Sequence, residues 1–219
     1  IKENNRLRIM VPRVYGLGDL SQILDTRVYD QGKELLASLK DEFGKFVITS
    51  SYKKAAKAVN QHGFVLLIGG PASGKTTIAS NLAMAAMDLW KSMTMKLRNA
   101  DEVVHHWNPD EPGQFFWIDD AFGVTRYESS LVQRWNLAMP HVKAMIKKNV
   151  RIVMTSRDYI YEEARKDLKV GAFPLLNESM VVIDVLKLTD DEKRQILYNH
   201  IKMGDQPREF KTAIKPFLD

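Results

Sequence analysis

Phe64-Val-Leu-Leu-Ile-Gly-Gly-Pro-Ala-Ser-Gly-Lys-Thr-Thr77 decides how this chain folds. Phe64 to Ile68 is an apolar run with a β-branched residue at Val65 and another at Ile68, which reads as a buried strand. Gly69 to Thr77 is a glycine-rich loop ending in Lys-Thr, and Ile78 to Met87 reads as helix. Strand, glycine loop, Lys-Thr and helix is the arrangement that wraps the phosphates of a nucleoside triphosphate. Gly70 and Gly74 are expected to take backbone angles closed to other residues, so that successive N–H groups converge on phosphate oxygens. The following helix aims its positive end at the same anion. Lys75 supplies a point charge to the β- and γ-phosphates, and the Thr76 hydroxyl suits Mg²⁺. Gly70, Pro71, Ala72, Ser73, Gly74, Lys75, Thr76 and Thr77 are therefore the candidate nucleotide-binding residues.

The rest of the chain is ordinary globular material. Its 219 residues suit one large domain or one domain with small appendages, and 45% hydrophobic against 27% charged residues can build a real core. No apolar run approaches the roughly 18–20 residues needed to span a bilayer, and no signal peptide is visible. Cysteine is absent, which excludes disulfides and thiolate metal sites and fits a cytoplasmic setting. A net charge of +5 and a pI near 9.2 suit a polyanionic ligand, a nucleotide or, more weakly, a nucleic acid. The chain opens at Ile1 and closes just after a helix, which suggests a segment of a longer protein.

Periodicity gives the order of elements. Residues up to about Asp30 show no clear period. Leu35, Leu36, Leu39 and Phe43 recur at helical spacing, with Gly44 as a stop. Phe46-Val-Ile48 is a short extended piece, and Ser50 or Ser51 caps a helix running to Gln61 before Gly63. The helix from Lys75 is expected to reach about Lys91. Asp101 to Val104 is ambiguous, and Asn108 to Gly113 is loop. Gln114-Phe-Phe-Trp-Ile118 reads as a buried strand. Ser129 to Lys148 is an amphipathic stretch that Pro140 should kink or split. Val150 to Met154 and Met180 to Asp184 are further strands. Thr189-Asp-Asp-Glu192 is a capping box opening a helix to Met203, with Gly204 as its stop. The division is thus a lead-in over 1–45, a nucleotide-binding domain over 46–187, and the start of a helical subdomain over 188–219. Alternating strands and helices predict an α/β fold, three layers around a mostly parallel sheet.

In such sheets ligands bind beyond the carboxyl ends of the strands. Lys75 and Thr76 follow one strand, Asp119 and Asp120 a second, and Thr155, Ser156 and Arg157 a third, so all three sets should share one crevice. Asp119 is placed to hold Mg²⁺ with Thr76. Asp120 is placed either to polarise an attacking water or to cap the turn into Ala121-Phe-Gly123. Arg157 either reaches the γ-phosphate or pairs with an acid such as Asp158. His105 and His106 have no metal-ligand spacing. Lys53, Lys54 and Lys57, or Lys143, Lys147, Lys148 and Arg151, read as solvated basic surfaces, and the four tryptophans as core.

Together these residues resemble the STAND class of signalling NTPases, in particular the branch called novel STAND 3. The resemblance rests on Gly69 to Thr77, Phe116-Trp-Ile-Asp-Asp-Ala-Phe-Gly123, Val153-Met-Thr-Ser-Arg-Asp-Tyr-Ile160 and Leu188 to His200. It covers about Phe46 to Pro207. It implies ATP or ADP with Mg²⁺, with Lys75 and Thr76 on phosphate and metal, Asp119 on metal, Asp120 as second acid and Arg157 sensing the γ-phosphate. Phe46 and Val47 would lie against the adenine. The proline that packs on the base in the family corresponds to Pro207, although Gly204-Asp-Gln-Pro207 is one residue wider than the family's spacing. The resemblance further implies self-association through the nucleotide domain, sensor and effector domains in the same longer chain, a foreign (viral) protein as trigger, and defence as the setting. Two other readings remain: an AAA+ type motor acting on DNA, and an interaction domain that keeps nucleotide only as a structural ligand.

Overall fold

Three strands of this fold are apolar along almost their whole length, because helices cover both faces of the sheet. The computed structural model describes residues 30–32, 34–38, 44–111, 113–169, 171 and 173–214. The first 29 residues, and Lys33, Leu39 and Phe43 of the expected first helix, lie outside the described residues. Residues 34–38 are helical, and Leu36 is buried in the main core.

The elements run α1 (Ser50–His62), β1 (Phe64–Ile68), α2 (Lys75–Leu89), β2 (Met93–Leu97), α3 (Ala100–His106), β3 (Gln114–Ile118), α4 (Ser129–Lys147), β4 (Arg151–Ser156), α5 (Asp158–Asp167), β5 (Val182–Asp184), α6 (Asp190–Met203) and α7 (Arg208–Ile214). The described strands form one parallel sheet in the order β2-β3-β4-β1-β5. From β1 the chain crosses to the far edge, returns strand by strand to β4, and then passes beyond β1 to β5. Right-handed crossovers place α2 on one face and α3, α4 and α5 on the other. Packing agrees: α2 lies on β2, β3 and β4, and α4 packs between α3 and α5. The chain's direction across the sheet reverses around β1 and β4, so the site belongs at their carboxyl ends.

Several boundaries differ from the sequence reading, each for a local reason. The cap of α1 is Thr49, not Ser50 or Ser51: its hydroxyl accepts the Tyr52 N–H at 3.2 Å. Gly63 closes that helix at φ 66°, in the left-handed region where a glycine costs little. Helix α2 stops at Leu89, and Lys91 turns the chain at φ 52°. Pro140 does not split α4, which is continuous from Ser129 to Lys147. It sits on the exposed face of the helix, and its ring leaves the Asn136 carbonyl without an intrahelical donor. Gly204 ends α6 in extended backbone, without a left-handed cap. Four elements went unread: the edge strand β2, the helices α5 and α7, and the two-turn helix α3 that Asn99 caps through Glu102 N–H.

Candidate functional site

The loop after β1 closes on its own lysine. Lys75 is 8% exposed, and its Nζ donates to Gly69 O at 2.9 Å, Gly70 O at 2.7 Å and Ser73 Oγ at 3.3 Å. All three partners are neutral oxygens. Burial pushes the ammonium below the ordinary lysine range; Asp120 pulls it back up, Arg157 lowers it, and Asp158 and Asp119 raise it. The backbone angles correct one expectation. Gly74 is left-handed at φ 88° and Gly69 lies at φ 156°, whereas Gly70 has no positive φ, and Ala72 takes φ 57° instead.

The β3–β4 pairing sets Ile118 beside Met154, which brings the residues that follow them together. Thr155 Oγ1 donates to Asp119 Oδ1 at 3.1 Å and accepts the Asp120 N–H at 3.0 Å. One hydroxyl thus holds both acids. The Trp117 indole donates to the same Asp119 oxygen at 2.9 Å, and Lys96 Nζ lies 2.9 Å from Oδ2 and 4.2 Å above the Trp117 ring. Asp119 has no hydrogen bond to Thr76, which is exposed at the head of α2.

Asp120 sits at φ 48°, a strained angle that asparagine and aspartate tolerate better than most residues. Its backbone carbonyl closes the turn by accepting the Gly123 N–H at 3.0 Å. Its carboxylate takes no capping bond. Burial raises its pKa, as does Asp119, against the lowering effect of Arg157, Lys75 and Lys96. Arg157 does not pair with Asp158, whose Oδ1 accepts the Tyr159 N–H at 2.9 Å. Instead Arg157 Nη1 donates to Tyr159 Oη at 2.9 Å, and Tyr159 Oη donates to Thr125 O at 3.1 Å. Ile68 pairs with Ser156, the Asp158 N–H donates to Gly69 O at 3.4 Å, and Thr155 bonds both acids, so the three polar sets stand side by side at the strand ends.

Beside the loop lies a cleft of about 320 Å³. It is lined by Lys45, Phe46, Val47 and Thr49 before and at the start of α1, and by Ala72, Ser73, Gly74, Thr77 and Ile78 from the loop and α2. The rest of the lining is Val185, Leu186 and Leu188 after β5, and Ile196 and His200 on α6. Sequence reasoning had none of those five, although Ile196 and His200 stand at i, i+4 on a capped helix. Gly70, Pro71, Lys75, Thr76 and Pro207 are not among the lining residues. Pro207 instead precedes α7 and accepts the Lys211 N–H at 3.1 Å.

The residues present suit a magnesium nucleotide. A desolvated ammonium bonded only to neutral oxygens is matched to an anion, and the mainly apolar cleft next to it has room for a base. Asp119, already holding the Lys96 ammonium, is the carboxylate placed to take a cation. Among the described residues no group of three or more His, Asp or Glu could hold a metal alone, so phosphate oxygens would complete the shell. His105 and His106 stack edge to face at 5.0 Å, with His106 buried. Lys53, Lys54, Lys57, Lys143, Lys147 and Lys148 are exposed, and Arg151 lies over the Trp90 ring. Trp117 and Trp135 are core, the latter pinning the turn after the acids by donating to Ala121 O at 2.9 Å. No described helix is long and apolar enough to cross a membrane.

The family model of novel STAND NTPase 3 matches residues 46–203. The chain belongs to that family. Novel STAND NTPase 3 membership thus spans the whole sheet, the crevice, the cleft and α6. No curated protein matches at significant similarity. Twenty chains of solved structures resemble this one, and two serve as examples. One is "Structure of C. elegans PCH-2", at 18% identity over 84% of this chain and 47% of that one, TM-score 0.39. The other is the Thermotoga maritima RuvB Holliday junction branch migration motor, at 17% identity over 69% of this chain and 48% of that one, TM-score 0.38. The chain spans about half the length of each. Likeness at that level carries no information on activity.

Proposed function

We propose that this chain is the nucleotide-binding and oligomerisation module of a STAND-type switch, binding ATP or ADP with Mg²⁺ and hydrolysing slowly. The observation that carries the reading is the crevice at the ends of β1, β3 and β4, where the register and the Thr155 bonds set Lys75, Asp119, Asp120 and Arg157 side by side. Lys75 exchanges its loop carbonyls for phosphate oxygens. The cleft walls from Lys45 to Thr49 and from Val185 to His200 hold the base. Mg²⁺, when bound, would supply charge neutralisation at the phosphates. Asp119 would hold it through the carboxylate that now faces Lys96. Asp120, its pKa raised by burial and by Asp119, accepts a proton from water. Thr155 keeps the two acids in register.

Arg157 turns binding into a switch. A ligand shifts a two-state equilibrium only by its difference in affinity for the two states. A guanidinium that bonds the γ-phosphate alone supplies about 1.5–3 kcal/mol, roughly 10- to 150-fold between ATP and ADP. To do so it gives up its bond to the Tyr159 hydroxyl, which keeps its own donation to Thr125 O. Self-association, sensor and effector domains of the longer chain, a foreign protein trigger and anti-phage defence are the setting that we propose on family membership. The test is nucleotide content and turnover. Purified protein that retains near-stoichiometric ADP and turns over slowly, with or without DNA, supports the switch. Rapid DNA-stimulated hydrolysis with no retained nucleotide overturns it in favour of a motor.

A further inference from the structure

Helix α6 is held to the nucleotide domain by little apolar burial: of its fourteen residues only Ile201 is buried. Polar bonds must therefore fix where it stands. Glu192, Ile196, Asn199 and His200 lie at i, i+4, i+7 and i+8, one stripe of the helix, and that stripe faces the segment from Lys45 to Ser50. Ile196 and His200 line the cleft together with Lys45, Phe46, Val47 and Thr49.

The two ends of the facing segment are both tied to α6. At one end Asn199 Nδ2 donates to Lys45 O at 3.3 Å. At the other, Glu192 Oε1 accepts the Ser50 N–H, the first amide of α1, from 142 residues away. The second Glu192 oxygen accepts the Thr189 N–H at 2.8 Å, while Thr189 Oγ1 accepts the Glu192 N–H at 3.2 Å. A capping box alone would use one carboxylate oxygen on its own helix. Here the same carboxylate spans two helix N-termini, both of which favour a negative charge. Loss of Glu192 removes a cap from α6 and a cap from α1 together.

We propose that Glu192 is the latch that sets the width of the cleft, positioning Phe46 and Val47 against the base without touching the ligand itself. The inference rests on the proposed nucleotide reading and adds to it a positioning residue. A latch acts on the base and not on the phosphates, which in the proposed reading are held by Lys75 and the loop, neither of which Glu192 touches. Its loss therefore has a signature that a general structural defect lacks.

The test is calorimetry of the full chain with Mg²⁺, using ADP and inorganic pyrophosphate as separate probes, on wild type, Glu192→Gln and Glu192→Ala. Hydrogen exchange of residues 45–50 is followed in parallel. We expect wild type to bind ADP more tightly than pyrophosphate. Glu192→Ala should weaken ADP roughly tenfold, the scale of one lost charge-assisted bond, and leave pyrophosphate within about twofold. Exchange at Ser50 should rise. Glu192→Gln, which keeps one acceptor oxygen, should fall between the two and guards against misfolding of the alanine variant. Equal weakening of ADP and pyrophosphate, or unchanged ADP affinity in both variants, overturns the latch while leaving the nucleotide reading intact. Failure of wild type to bind either probe overturns both.

Discussion

Replacing Lys96 with Met removes the cation that touches Asp119 and keeps a stem of similar length over the Trp117 ring. The pair is close, at 2.9 Å, and its side chains are 34% and 21% accessible, so it lies between a surface and a buried bridge. Exposed pairs contribute about 0–1 kcal/mol and hydrogen bonds to charged groups about 1.5–3 kcal/mol, which brackets this one near 1–2 kcal/mol. The cation–π contact adds about 0.5–1 kcal/mol, and a thioether over the indole returns a similar amount. The net loss is then about 1–2 kcal/mol, a fall in Tm of about 2–8 °C for a chain of this size. Urea unfolding at low and at high salt measures it, and the difference between wild type and variant should shrink as salt rises. The same variant leaves an unpaired carboxylate facing the crevice. The ratio of ADP affinity with Mg²⁺ to that without should therefore rise by about tenfold, equivalent to about 1.4 kcal/mol. Unchanged stability together with an unchanged Mg²⁺ dependence would refute the role assigned to the Lys96–Asp119 pair.

Other perturbations separate folding from function. Asp120→Asn keeps a residue suited to φ 48° and removes a charge that burial and Asp119 both disfavour. It should raise Tm at neutral pH while lowering ATP turnover about a hundredfold or more; a lower Tm would contradict the burial argument. Gly123→Ala sets a Cβ 2.0 Å from Arg126 O at φ 130°, and should cost about 3 kcal/mol or more in urea unfolding. Glu192 is held below the usual carboxylate value of 4.5, first by the Ser50 N–H and then by Thr189. A depressed carboxyl contributes stability that is full above its unfolded pKa and is lost as pH falls through the folded one. Acid unfolding of wild type should thus be steeper below about pH 4.5 than that of Glu192→Gln, and parallel curves would count against the bond.

What could be read from sequence was local. Gly69 to Thr77 carries its own turn, cation and helix start, so phosphate chemistry is written in nine consecutive residues. Asp119 and Arg157 were legible because each ends an apolar strand, and parallel sheets put such ends side by side. Strand β2 was missed because it lies at the sheet edge and carries Lys96, which breaks the apolar run, and α3 because two turns give too short a period. The partners that shape the site are distant in sequence. Lys96 meets Asp119 only because β2 pairs with β3 in a register setting Lys96 beside Trp117. Glu192 looks like an ordinary capping residue until the fold brings Ser50 to its free oxygen. Leu186 and Leu188 form a cleft wall only once the chain leaving β5 passes beside the loop.

The central claim is that Lys75 holds the phosphates of a nucleotide. Titration calorimetry of ADP and ATP with Mg²⁺ into wild type and Lys75→Ala tests it most directly. The account predicts saturable binding to wild type and a loss of at least roughly tenfold in the variant, the scale of one charge-assisted bond. Equal affinity in the two proteins would contradict it.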